Sequence, residues 1–294
     1  MKKYLLGFAL VLALIACGQK GAEPKHNDQD VEDLKKDQKD DSKKDLPLVT
    51  EDTVKLFNNN EIFISKEKNE DDKYELRSIV DKVELKGLSE KNTGAGELEG
   101  LKADKSKVTM LVSDDLNTIT IETYDPSNKK ISSQVAKKQG SLTEETYKTS
   151  KLSAKKITRS NNTTIEYTEM TDADNASKAV ETLKNGITLE GSLVGGKTTL
   201  TIKEGTVTLK KEIEKAGTVK LFLDDTASSA TKKTAVWNDT SSTLTVSAEG
   251  KKTKDFVFLT DGTITVQNYN KAGTTLEGKA TEIKDLEALK AALK

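Results

Sequence analysis

The sequence has 294 residues, of which 34% are hydrophobic, 32% charged and only 4% aromatic. Globular domains usually carry about 45–50% apolar residues and about 25% charge, so large core anchors are scarce here. With 47 basic and 48 acidic residues the formal net charge is −1, and no basic surplus favours nucleic acid as a partner.

The first predicted element is a targeting segment. "MKKYLLGFALVLALIAC" opens with Lys2 and Lys3 and runs apolar from Leu5 to Ala16. A positive start, a short apolar run and small residues before a cut make a signal peptide, residues 1–16. The run is short of the ~20 residues a membrane-spanning helix needs. Leu14-Ile15-Ala16-Cys17 matches a bacterial lipobox, with cleavage between Ala16 and Cys17. The Cys17 thiolate is then the nucleophile that takes the lipid. It is the only cysteine in the chain, so it has no disulfide partner within it. Two or more acyl chains give stable anchoring where one is marginal. Residues 17–46 are rich in Lys, Asp and Glu and bury too little apolar surface to fold, which predicts a disordered tether.

From Pro47 onward short alternating runs are separated by Asn, Asp and Gly breaks. "NEIFIS", "KYELRSI", "KVTMLVS" and "NTITIETY" come first; "GITLEGSL", "KTTLTIKEG", "TVKLFLDD", "STLTVSAE" and "TITVQNYN" follow later. Spacing of about 8–12 residues between breaks predicts antiparallel meanders. Leu-Glu-Gly recurs at 98–100, 189–191 and 276–278 without a strict period. The apolar weight is uneven. One set lies near the start (Leu56, Ile62, Leu76, Leu85, Met110) and a richer one near the end (Leu200, Leu209, Leu221, Phe222, Leu223, Phe256, Phe258). Between them "SLTEETYKTSKLSAKKITRS" has strand-forming residues but polar residues on both alternating faces. The fold class is therefore mainly β: an extended antiparallel meander with end domains at 47–130 and 168–294. A free-standing single-layer sheet at 131–167 joins them.

Two segments carry helical spacing. "TEIKDLEALKAALK" places Ile283, Leu286, Leu289 and Leu293 on one stripe, with Thr281 as cap and Glu282 in the first turn. "DADNASKAVETLKNG" places Ala176, Ala179, Val180 and Leu183 on a shorter stripe, capped by Asp172 or Asp174 and stopped at Gly186.

Candidate chemistry is sparse. "GSLVGGKT", Gly191 to Thr198, matches a phosphate-binding loop pattern, but the residues after it alternate as a strand where that chemistry needs a helix. Gly195-Gly196 reads instead as a hairpin turn, so no nucleotide is expected. "DADN" at 172–175 lacks the glycine and the acid that a calcium loop needs further on. The single histidine, His26, falls in the tether. No metal, cofactor or catalytic set is expected. Trp237 is read as a core residue, with a binding aromatic as the alternative.

The lipobox, charged tether, β body and final helix resemble the outer surface lipoprotein A and B family of Lyme-disease spirochaetes. "LPLVTEDTVKLF", "KKQGSLTEET", "EGTVTLKKEIEK" and "KTKDFVFLTDGTITVQNYN" carry the resemblance, which covers the whole chain. It implies about twenty antiparallel strands, a free-standing middle sheet, one C-terminal helix and display on the outer membrane through the lipid. In that fold the segment 172–185 is in doubt as a helix. The resemblance also implies adhesion to vector gut and host proteins and exposure to antibody, with no enzymatic role. The expected binding surface lies in the C-terminal sector at Lys232, Lys233, Lys251, Lys252 and Lys254. A passive coat or spacer without a specific ligand is the alternative.

Overall fold

Alternating runs broken by turn residues form strands because every second side chain can share one face. The computed structural model describes residues 51–294. The signal segment 1–16, Cys17 and the tether to residue 46 lie outside the described residues. The first strands are β1 (Glu51–Lys55), β2 (Glu61–Lys68), β3 (Tyr74–Val80), β4 (Val83–Ser89), β5 (Gly96–Leu101), β6 (Lys107–Val112) and β7 (Thr118–Tyr124). The middle ones are β8 (Lys130–Lys137), β9 (Leu142–Lys148), β10 (Lys151–Thr158), β11 (Thr164–Asp172) and β12 (Asn175–Thr182). Next come β13 (Thr188–Val194), β14 (Lys197–Glu204), β15 (Val207–Ile213) and β16 (Val219–Asp225). The last are β17 (Lys233–Asn238), β18 (Thr243–Ala248), β19 (Lys251–Phe258), β20 (Ile264–Tyr269) and β21 (Leu276–Glu282), followed by α1 (Leu286–Leu293). Strands β1 to β16 form one antiparallel sheet in strict sequence order, and β17 to β21 form a second.

The long sheet buries one face at its start and the other at its end. Directly opposed residues share a face, so the register traces each row across the sheet. One row runs Met110, Ile121, Gln134, Glu144, Lys156, Glu166, Val180 and Glu190. It starts in the first core, where Met110 is fully buried, and ends at an exposed glutamate. The row on the opposite face runs Thr109, Glu122, Ser133, Glu145, Lys155, Tyr167, Ala179, Gly191 and Leu200. It starts near water and ends in the second core, at fully buried Leu200. The strands at the crossover have almost no core on either side; Leu152 and Ile157 of β10 reach the margin of the second core. From residue 131 to 162 only Ser133 is buried.

A polar ladder holds that crossover. Lys130 lies 6.0 Å from the Tyr124 ring centroid and 5.8 Å from that of Tyr147, and it pairs with Glu122. Tyr124 donates to Glu122, Tyr147 donates to Glu145 at 2.7 Å, and Lys155 sits 3.5 Å from Glu145. The hydrogen bond to Glu122 pushes the Tyr124 phenol up to about 12. Burial, aided by Glu145, pushes Tyr147 up to about 12. Raised phenol values favour the folded state below the ordinary tyrosine range near 10, and that contribution is lost as pH climbs toward 12. Ultraviolet titration is expected to lose one late-ionising phenol in Tyr124→Phe and another in Tyr147→Phe, with stability of the parent falling over the same window. If either variant instead loses a phenol that titrates near 10, the ladder does not hold the crossover.

The structure corrects several expectations. Residues 175–182 are strand β12, not helix. A bulge between Ala176 and Ala179 gives a three-residue step, and Ala179, Glu181 and Leu183 then alternate inward by two. Together these steps imitate helical spacing. The terminal helix forms with Leu289 and Leu293 buried, but its cap is Asp285, which accepts from Ala288 N–H at 2.7 Å. Thr281 instead pairs with Val266 inside β21. Phe222 is 40% exposed, with Lys210 5.5 Å from its ring. Phe258 and Leu223 are half-buried at the margin of the second core, whose large buried anchor is Phe256.

Candidate functional site

The β12 bulge has a second consequence: it turns Glu181 inward. Its cross-strand neighbours are Ile165 and Leu189, so a carboxylate occupies a core position. Glu181 has no exposed surface. Arg159 Nη1 donates to its Oε1 at 2.9 Å, and Lys211 Nζ donates to Oε1 at 2.9 Å and Oε2 at 2.7 Å. Arg159 also donates to Thr163 Oγ1 at 3.1 Å. Two cations thus share one buried anion, and the cluster keeps one excess positive charge. Charge-assisted bonds of this kind are the strong ones when water is kept away.

The cluster lines a cleft between the two sheets. One chamber of about 300 Å³ has Leu183, Ile213, Val219, Phe258 and Ile264 as apolar walls. A neighbouring chamber of about 480 Å³, formed by the long sheet alone, shares Arg159 and Ile213 and is lined by Ile157, Ile165, Leu193 and Tyr167. Tyr167 is buried there, its hydroxyl 2.9 Å from that of Thr198, and burial raises its phenol value. Lys215 at the rim is paired with Asp174 at 2.7 Å. The arrangement suits an amphipathic group with one negative charge: the apolar walls meet its body, and the surplus cation meets the anion. A groove of about 490 Å³ on the N-terminal strands differs. Its Arg77 is matched by Glu51 at 2.7 Å and lies over the Phe63 ring at 4.5 Å.

The five lysines singled out from the sequence gather at one end of the second sheet. Lys233 and Lys251 both oppose Ala248 from either side, and Lys232 immediately precedes β17. They do not share one role. Lys233 Nζ donates to the carbonyls of Leu293 and Lys294, and Lys254 Nζ donates to that of Ala292 at 2.6 Å. Both therefore hold the negative end of α1. Burial, with Lys233 nearby, lowers the Lys254 ammonium below the usual lysine range. Lys232, Lys251 and Lys252 remain exposed, with Lys252 5.5 Å from the Tyr269 ring.

The phosphate-loop match resolves into a hairpin. Gly195 and Gly196 have φ of 60° and 81°, Val194 pairs with Lys197, and strand β14 follows. This is the primed two-residue turn that right-twisted strands favour. Lys197 pairs with Glu212 at 2.5 Å, and that bond raises its value. Residues 172–175 form the β11–β12 turn, with Asp172 accepting from Asp174 N–H at 2.8 Å and from Asn175 Nδ2. Trp237 is half-buried, edge-on to Phe258 at 6.1 Å, and its indole N–H donates to Asp239. Among the described residues, no group of three or more His, Cys, Asp or Glu is arranged to hold a metal ion.

Comparison with known proteins places this architecture. A family model described as Borrelia lipoprotein matches residues 33–294. Outer surface protein B of Borreliella burgdorferi strain B31 is 66% identical over 296 residues, covering 99% of this chain and all of that one. A second outer surface protein B of Borreliella burgdorferi is 66% identical over 298 residues, covering both chains in full. A sixteen-stranded sheet that changes its buried face, a second sheet, a terminal helix and near-complete coverage agree, and the chain belongs to the Borrelia lipoprotein family, as a protein of the outer surface.

Proposed function

We propose that Cys17 carries the lipid anchor after residues 1–16 are removed, and that the body is an adhesin for vector gut and host proteins. Residues 17–46 serve as tether, 47–130 and 168–294 as end domains, and 131–167 as the joining sheet. The C-terminal part makes the contact and meets antibody; no cofactor or catalytic step is involved. The observation that carries this reading is the cleft, where Arg159 and Lys211 exceed Glu181 by one charge beside apolar walls. Exposed Lys232, Lys251 and Lys252 add a basic end to the neighbouring sheet. An acidic partner face would be steered there, less strongly at high salt.

Cys17→Ser is expected to move the protein out of the membrane fraction. Its retention there with unchanged surface protease sensitivity would contradict the anchor. The soluble Cys17→Ser protein is then titrated against vector gut protein at low and physiological salt. Charge reversal at Lys232, Lys251 and Lys252 should weaken binding about tenfold or more and flatten its salt dependence. Saturable binding that all these changes leave intact would move the contact elsewhere. Absence of saturable binding would favour a passive coat.

A further inference from the structure

The β12–β13 connection contains the only Asn-Gly dipeptide in the sequence, Asn185-Gly186. Leu183 N–H donates to the Ile187 carbonyl at 2.8 Å, and Gly186 N–H donates to the Leu183 carbonyl at 3.0 Å. Gly186 has φ of 72°. Two adjacent side chains tie this turn to the second sheet and to the segment that enters α1. Lys184 Nζ lies 3.0 Å from Asp261 Oδ2. Asn185 Nδ2 donates to Glu282 Oε1 at 2.9 Å and to the Ile283 carbonyl at 3.0 Å.

Both partners of Asn185 are acceptors, so the position needs two donors and no negative charge. A carboxamide meets that demand. A carboxylate would lose both donors and face the Glu282 carboxylate and a carbonyl oxygen. Asn followed by Gly is the dipeptide in which that conversion meets least hindrance, because Gly has no side chain to block its own nitrogen. The Gly186 backbone nitrogen gives its proton to solvent base and attacks Asn185 Cγ. The new N–Cγ bond forms, the Cγ–Nδ2 bond breaks and ammonia leaves. One water then opens the cyclic imide at either carbonyl, giving aspartate or isoaspartate. Nothing is oxidised or reduced.

In the docked turn the Gly186 N–H is engaged by Leu183, and the carboxamide is engaged by Glu282 and Ile283. Attack requires both to let go. We propose that Asn185 is a deamidation site that reacts when this turn parts from residues 282–283, and that its conversion blocks redocking. Cumulative time with the joint open is thereby recorded irreversibly, as the fraction of converted chains. The cleft would loosen with it, because its smaller chamber is lined by Leu183 on this side and by Gly262 and Ile264 on the other.

The test ages the purified full-length protein at mildly alkaline pH and 37 °C. Peptide mapping and isoaspartyl methyltransferase labelling read residue 185. Asn185 is expected to convert ahead of every other asparagine. Lys184→Ala removes the neighbouring tie without touching the dipeptide and should speed conversion several-fold. Converted chains should exchange the amides of α1 faster than the parent, and Asn185→Asp should reproduce that change. If Asn185→Asp fails to fold, the aged native chain supplies the same readout. The proposal is overturned if residue 185 stays intact while other asparagines convert. It is equally overturned if Lys184→Ala leaves the rate unchanged, or if converted chains protect α1 as well as the parent does.

Discussion

Glu181→Ala is expected to destabilise the protein by about 3–5 kcal/mol, because removing one member of a buried ion cluster leaves the others uncompensated. Lys211 loses both of its partner oxygens, and only 12% of its side chain is exposed to find water instead. Arg159, about a third exposed, recovers more readily. A triple change, Arg159→Met with Glu181→Leu and Lys211→Met, should recover most of the loss. Position 181 already lies between Ile165 and Leu189, where an apolar side chain packs well. Denaturant midpoints of the two variants decide the matter. A loss under about 1 kcal/mol for Glu181→Ala would mean that the charges behave as solvated surface groups, as at ordinary exposed sites. The folded triple variant also separates roles: it should keep the fold and lose the surplus charge of the cleft.

Much of the fold is legible in the sequence because a strand shows its burial locally, at every second residue. Ile62 with Ile64, Leu98 and Leu200 with Ile202 are apolar where they face a core, and all are buried. The polar run from 141 to 160 is equally local, since strands that exchange one buried face for the other must meet water on both. The β12 segment misleads for a physical reason. A bulge inserts one residue, and Ala176, Ala179 and Leu183 then coincide with a helical stripe.

The cleft was not legible. Arg159, Glu181 and Lys211 come from separate strand regions and meet only through the order of the sheet. In a chain with 32% charged residues, no local pattern marks these three. Lys233 and Lys254 illustrate the converse. Each looks like a surface cation in sequence, yet both reach the last carbonyls of α1, a contact set by where the helix packs.

Gly191→Ala is expected to cost about 3 kcal/mol or more, at the upper end for overpacking a filled site. A Cβ built at Gly191 would lie 1.8 Å from the carbonyl oxygen of Thr199 and 2.8 Å from its carbon, on the neighbouring strand β14. Those are backbone atoms, so no side-chain rotation can clear the space. Relief would require moving β13 from β14, which disrupts the pairing of Gly191 with Leu200 and of Ser192 with Thr199. The row is filled on both sides, since Ala179 and Leu200 are fully buried. Gly100 repeats the geometry at the other end of the long sheet, with its Cβ position 2.2 Å from the Glu84 carbonyl oxygen. Two of the three Leu-Glu-Gly triplets therefore mark places where one strand lies in close approach to a neighbour, β14 for Gly191 and β4 for Gly100. The third ends in Gly278, which has φ of 65° and nothing within 4 Å of its Cβ position. Gly278→Ala meets only backbone strain, about 1–2 kcal/mol for a left-handed residue. Measuring the three alanine variants side by side tests the reading. Positions 191 and 100 should fall together, well below 278. If Gly191→Ala is tolerated as well as Gly278→Ala, the close approach at Thr199 does not constrain the sheet, and the recurrence of the triplet has no structural cause.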